Sequence, residues 1–84
     1  MIELRFHGEL YDGFAIDEAA KVYGPFGVID LAREGDAFVA RVTVGAAARD
    51  QGVDEATLAA ELANYALGKT IELRGAGGGH GGAP

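Results

Sequence analysis

The chain has 84 residues, no cysteine and a formal net charge of −6. That length makes one domain in which only about 60% of the unfolded surface can be buried, and the missing cysteines exclude disulfides, thiolate metal sites and cysteine nucleophiles. The seven lysines and arginines are scattered, so no basic face exists to displace counterions from nucleic acid, and a charged partner is expected to dock through a basic surface.

Hydrophobic residues at 49% against 24% charged residues are the composition of a folded body. The N-terminal residues show no basic region followed by an apolar run, so no secretory signal is read. No apolar run approaches the roughly 20 residues of a membrane span. The expectation is a cytoplasmic protein with no membrane partner.

Ile2, Leu4 and Phe6 alternate with Glu3, Arg5 and His7, the period of a half-buried strand. Gly8 on the apolar side marks a bulge or a close backbone approach. Asp12 is placed to cap a helix running from Phe14 to Tyr23, with Ala15, Ile16, Ala19, Val22 and Tyr23 on its apolar stripe. Gly24-Pro25 ends it. Val28 to Arg33 and Phe38 to Val44 read as two strands, joined by a hairpin at Glu34-Gly35-Asp36 in which Gly35 takes positive φ. Phe38, Ala40, Val42 and Val44 share one face of the second of these strands. Gly45 to Gly52 reads as a small-residue connection.

Asp54 is the best helix cap in the chain, and Val53 and Leu58 have the spacing of a hydrophobic staple. Leu58, Ala59, Leu62, Tyr65 and Ala66 form the stripe of the helix that follows, and Gly68 is placed to stop it with Lys69 at its carbonyl end. Ile71 and Leu73 then alternate with Glu72 and Arg74, so a fourth strand is expected. The order is β-α-β-β-α-β, a ferredoxin-like split βαβ two-layer α+β sandwich. The tetrapeptide Ile2-Glu3-Leu4-Arg5 recurs as Ile71-Glu72-Leu73-Arg74, which suits pairing of the first and last strands. If the helix runs past Gly68, at a cost of about 1 kcal/mol for glycine in its interior, the plan becomes β-α-β-β-α. Residues 1–74 are thus read as the domain. Residues 75–84, with six glycines in ten, are read as a flexible tail.

Chemistry is sparse. The chain has no serine, and its threonines lie outside any nucleophile arrangement, so neither a Ser/His/Asp triad nor a threonine nucleophile is expected. Glu55 and Glu61 are six apart and do not share a helix face. The tail glycines do not match a strand-to-helix phosphate cradle. His7 reads as a surface histidine. His80 is the one residue no structural role explains, though a single imidazole is a weak metal ligand. Phe14, Tyr23, Phe26 and Tyr65 read as core or sheet-facing. An enzyme with its own cofactor or metal is not expected.

Along Leu62-Ala63-Asn64-Tyr65-Ala66-Leu67 the helix resembles the signature of the HxsD-like family, small proteins of His-Xaa-Ser systems found beside radical SAM enzymes. Leu62, Tyr65 and Leu67 match and Asn64 is a conservative change, while Glu61, Ala63, Gly68 and Lys69 depart from it. Tyr11, Ala15-Ile16 and Ala19-Ala20 are similar to the family's earlier pattern. The likeness covers roughly residues 2 to 73. It implies a non-catalytic component of a ribosomal-peptide maturation system whose body is recognised by a radical SAM enzyme. On that reading Gly75, Gly79, His80, Gly81 and Gly82 lie in the segment presented for modification or cleavage. Two other functions fit the residues. One is an adaptor or chaperone that binds a separate precursor peptide by adding a strand to a sheet edge. The other is a small ligand-binding regulatory domain, as a homodimer.

Overall fold

The computed structural model describes residues 1–78. Strand β1 (Ile2–His7) leads to helix α1 (Gly13–Tyr23), a single 3₁₀ turn at Gly24–Phe26, the hairpin β2 (Gly27–Glu34) and β3 (Ala37–Val44), a short helix α2 (Ala46–Asp50) and the long helix α3 (Glu55–Gly78). The sheet order is β1-β3-β2, with β3 antiparallel to both neighbours. β1 and β2 therefore run parallel with β3 between them. The protein is α+β: three antiparallel-paired strands with α1 and α3 packed on one face.

Local chemistry accounts for the boundaries. Asp12 Oδ1 accepts the Phe14 N–H at 2.9 Å and starts α1, and Asp54 Oδ1 accepts the Thr57 N–H at 2.8 Å and starts α3. Gly35 turns the hairpin at φ 59°, in the left-handed region that favours glycine. Gly8 donates to the Asp36 carbonyl at 2.8 Å, close enough that a Cβ there would collide with that oxygen. The connection after β3 is more ordered than its small residues suggest: Ala46–Asp50 closes a turn of helix, with Ala48 buried beneath it.

The core is a single cluster between sheet and helices. Phe6, Ala40, Val42 and Val44 meet Ile16 and Ala19 of α1 and Leu58, Leu62 and Ala66 of α3. Val22, expected on the stripe of α1, is exposed, as are Phe14 and Phe26. On the outer face of the sheet, Val39 has no exposed surface. Arg5 lies opposite it and reaches across to Glu34 at 2.7 Å, Glu3 is 3.3 Å from Arg41, and Arg41 is 3.5 Å from Glu34. The stems of these charged side chains help keep Val39, at the centre of that face, from water.

The expected fourth strand is not formed. Ile71–Arg74 is helical, because α3 continues through Gly68. An added Cβ at Gly68 would meet nothing, so the glycine is on the exposed side and costs only its helix propensity, about 1 kcal/mol. Continuing the helix places Thr70 and Leu73 on the stripe of Leu62 and Ala66. Thr70 is 2% exposed, and its Oγ1 accepts the Asp12 N–H at 3.0 Å. Lys69 pairs with Glu72 at 2.9 Å, and Arg74 donates to the Glu9 carbonyl at 2.8 Å. Tertiary contacts thus outweigh one unfavourable residue. The repeated tetrapeptide is a strand at one end and a helix at the other, and Glu3 finds Arg41 rather than Arg74. The order is the β-α-β-β-α alternative, with α2 added. The helix also runs on through Gly75–Gly78, the first part of the expected tail.

Candidate functional site

The residues carrying the HxsD-like resemblance do different jobs on α3. Leu62 is fully buried in the core. Tyr65 packs edge-on against Tyr23 of α1, with ring centroids 6.0 Å apart and planes at 85°, fastening the two helices. Asn64 is exposed. Leu67 is 42% exposed on the flank of α3 turned away from α1. The motif is therefore half structure and half surface. Gly75 is helical and exposed. Gly79, His80, Gly81 and Gly82 lie outside the described residues.

Among the described residues, two of the charge clusters hold a carboxylate with a lowered pKa. One is the four-charge patch over Val39. There Glu34 is held below the usual carboxylate range, first by its hydrogen bond from Arg5, then by the charges of Arg5 and Arg41. The other is Glu55, whose carboxylate takes the Met1 ammonium and the Val44 N–H and lies 3.6 Å from Arg49. Its pKa is lowered chiefly by the Met1 hydrogen bond. The cap Asp54 is lowered by the Thr57 N–H, and Lys69 is raised by Glu72. Each of these shifts moves its group away from neutral pH, opposite to what general acid–base catalysis asks for. Among the described residues, no group of three or more His, Asp or Glu converges as a metal site. His7 is an exposed residue of the outer face.

The features able to hold a partner lie at the sheet margins. Since β3 is central, β1 and β2 are both edge strands, and among the described residues neither outer edge is paired. Unpaired N–H and C=O groups along an edge are a template for another strand. Beside the β2 edge lies a cleft of about 270 Å³ between β2 and α1. Gly13, Ile16, Leu31 and Phe38 make its apolar lining, and Asp17 and Arg33 are its charged residues. Leu31 is 40% exposed there, and the Arg33 guanidinium lies over the Phe38 ring at 4.7 Å. Asp30, on the other face of the same strand, is exposed and makes no ion pair among the described residues. A second hollow, of about 280 Å³, lies where Glu9, Asp12 and Asp36 approach Arg33 and Arg74. Its two guanidiniums are already engaged, one on Phe38 and one on the Glu9 carbonyl.

Strand addition at a sheet edge is among the functions the residues allow, but which edges are open is not legible from them alone. Val28 to Arg33 reads as a strand, but nothing local says which strand of three ends up in the middle. No helix among the described residues is long and apolar enough to cross a membrane. Compared with protein-family models, curated proteins and solved structures, the chain matches none of them.

Proposed function

We propose that this chain is a non-catalytic, peptide-binding component of a ribosomal-peptide maturation system, working beside a radical SAM enzyme that carries the cofactors. It holds an extended segment of a precursor along the outer edge of β2. One observation carries the binding mode: among the described residues β2 is an unpaired edge strand, and directly beside it lies an open cleft with a largely apolar lining. Strand addition draws affinity from main-chain hydrogen bonds and selectivity from pockets for alternate side chains. Leu31, Ile16 and Phe38 favour an apolar residue on the helix side, and unpaired Asp30 with the net charge of −6 favours a basic residue on the outer side. The setting rests on the HxsD-like resemblance of α3. The α+β body is a ferredoxin-like plan with its last strand replaced by helix.

The binding mode is tested by titrating the ¹⁵N-labelled protein with a synthetic peptide alternating leucine and lysine. Amide shifts confined to Gly27–Glu34, abolished in Leu31→Glu, are expected. Shifts elsewhere, or none, overturn the site. The setting is tested by mass spectrometry after co-expression with the genes that neighbour its own. A mass change on a separate peptide that disappears with Leu31→Glu supports the adaptor. A mass change on residues 75–84 of this chain would instead make it the substrate, with His80 the distinctive group.

A further inference from the structure

The other free edge carries a different signal. We infer that the outer edge of β1 pairs with β1 of a second copy, giving a two-fold dimer with a continuous six-stranded sheet. The inference does not rest on the peptide reading, which uses the opposite edge.

The register follows from the side chains. Antiparallel pairing centred on Leu4 sets Ile2 against Phe6 of the second copy on the core face. On the outer face it sets Glu3 against Arg5, twice by symmetry. Moving the centre by one residue either way sets Glu3 against Glu3 or Arg5 against Arg5, and like charges directly opposed are destabilising. It also turns none of the apolar residues outward, so charge alone selects among these registers. Only the Leu4-centred register is complementary. It extends across the seam the alternating charges already present, where Glu3 lies 3.5 Å from Arg5 and 3.3 Å from Arg41.

The helix above the seam is complementary in the same sense. Glu55 meets Met1 at the start of β1 and Arg74 reaches the Glu9 carbonyl beyond its end, so Ala63 lies level with the middle of the strand. Tyr65 fastens one flank of α3 to α1. The opposite flank presents Ala56, Ala60, Ala63, Leu67 and Ile71, small residues in its first half and large ones in its second. Leu67 and Ile71 are 42% and 63% exposed. In an antiparallel pair about Ala63, each copy's Leu67 and Ile71 lie over the other's Ala60 and Ala56. The spacing agrees. α3 packs on both β1 and β3, which puts its axis about 5 Å from the two-fold and the related helices about 10 Å apart, close to the 8–10 Å of packed helices. An isologous interface requires this self-complementarity.

Sedimentation equilibrium of the full chain is expected to show a dimer. Leu67→Lys and Ile71→Lys, at exposed positions, are each expected to weaken it at least about tenfold with the helical circular dichroism unchanged. Because the chain has no native cysteine, the single variants Glu3→Cys and Arg5→Cys report the register: mild oxidation should cross-link a mixture of the two as a heterodimer and neither variant alone. A wild-type monomer overturns the inference. So does a dimer that survives both lysine substitutions, or a mixture of the cysteine variants that does not cross-link.

Discussion

At the residue scale, single polar atoms decide where elements start. Asp54 caps α3 through the Thr57 N–H, and Asp54→Ala is expected to lower the thermal midpoint by a few degrees with no change of fold. The same carboxylates set the acid limit. Glu34, Asp54 and Glu55 have pKa values lowered from their ordinary 4.5, 3.8 and 4.5. A lowered folded-state pKa means the unfolded chain binds more protons, so these groups contribute stability that is complete above the ordinary values. That stability is lost as pH falls through the lower folded ones. Chemical denaturation should therefore show stability flat near neutrality and falling below about pH 4.5. Because the pairs are solvent-exposed, high salt should shrink the part due to Glu34. Lys69 acts oppositely: raised by Glu72, its contribution is present below its ordinary 10.5 and lost only as pH rises through the folded value.

At the element scale, the instructive segment is α3. Gly68-Lys69 carries the local chemistry of a helix stop, and Asp12, Asp54, Gly35 and both hairpin strands follow equally local signals that the structure obeys. The difference is that a glycine penalty of about 1 kcal/mol is small beside burial of Thr70 and its hydrogen bond from Asp12, the half-burial of Leu73 and the Arg74 bond to the Glu9 carbonyl. Gly68→Ala should therefore stabilise the protein, by up to about 1 kcal/mol, measured by urea denaturation. A destabilised variant would mean that the helix does stop there. The tetrapeptide shared by β1 and α3 makes the same point. Ile-Glu-Leu-Arg takes the structure of whatever surface it is offered.

At the scale of the whole molecule, one small core holds a sheet whose two edges are open among the described residues. Leu62 is fully buried where α3 meets the sheet. Leu62→Ala is expected to cost about 2–5 kcal/mol, a large share of what a domain of this size has, so the variant should be substantially unfolded at 37 °C by circular dichroism. The helix replacing a fourth strand leaves β1 exposed, and the hairpin leaves β2 exposed. If the proposed dimer forms through β1, one β2 edge remains at each end of the joined sheet, and the proposed peptide site would occur twice, facing outward.

By itself the sequence determined the elements that depend on neighbours within a few residues: the strand alternation, both aspartate caps, the hairpin glycine and the apolar stripes. These are short-range effects of hydrogen bonding, backbone sterics and side-chain period. Only the tertiary structure decided which strand is central, how far α3 runs and which flank of it stays exposed. Those outcomes depend on contacts such as Asp12 with Thr70 and Glu9 with Arg74, between residues far apart in the chain. The candidate site belongs to this second group, since an edge exists only once the other strands have chosen their partners.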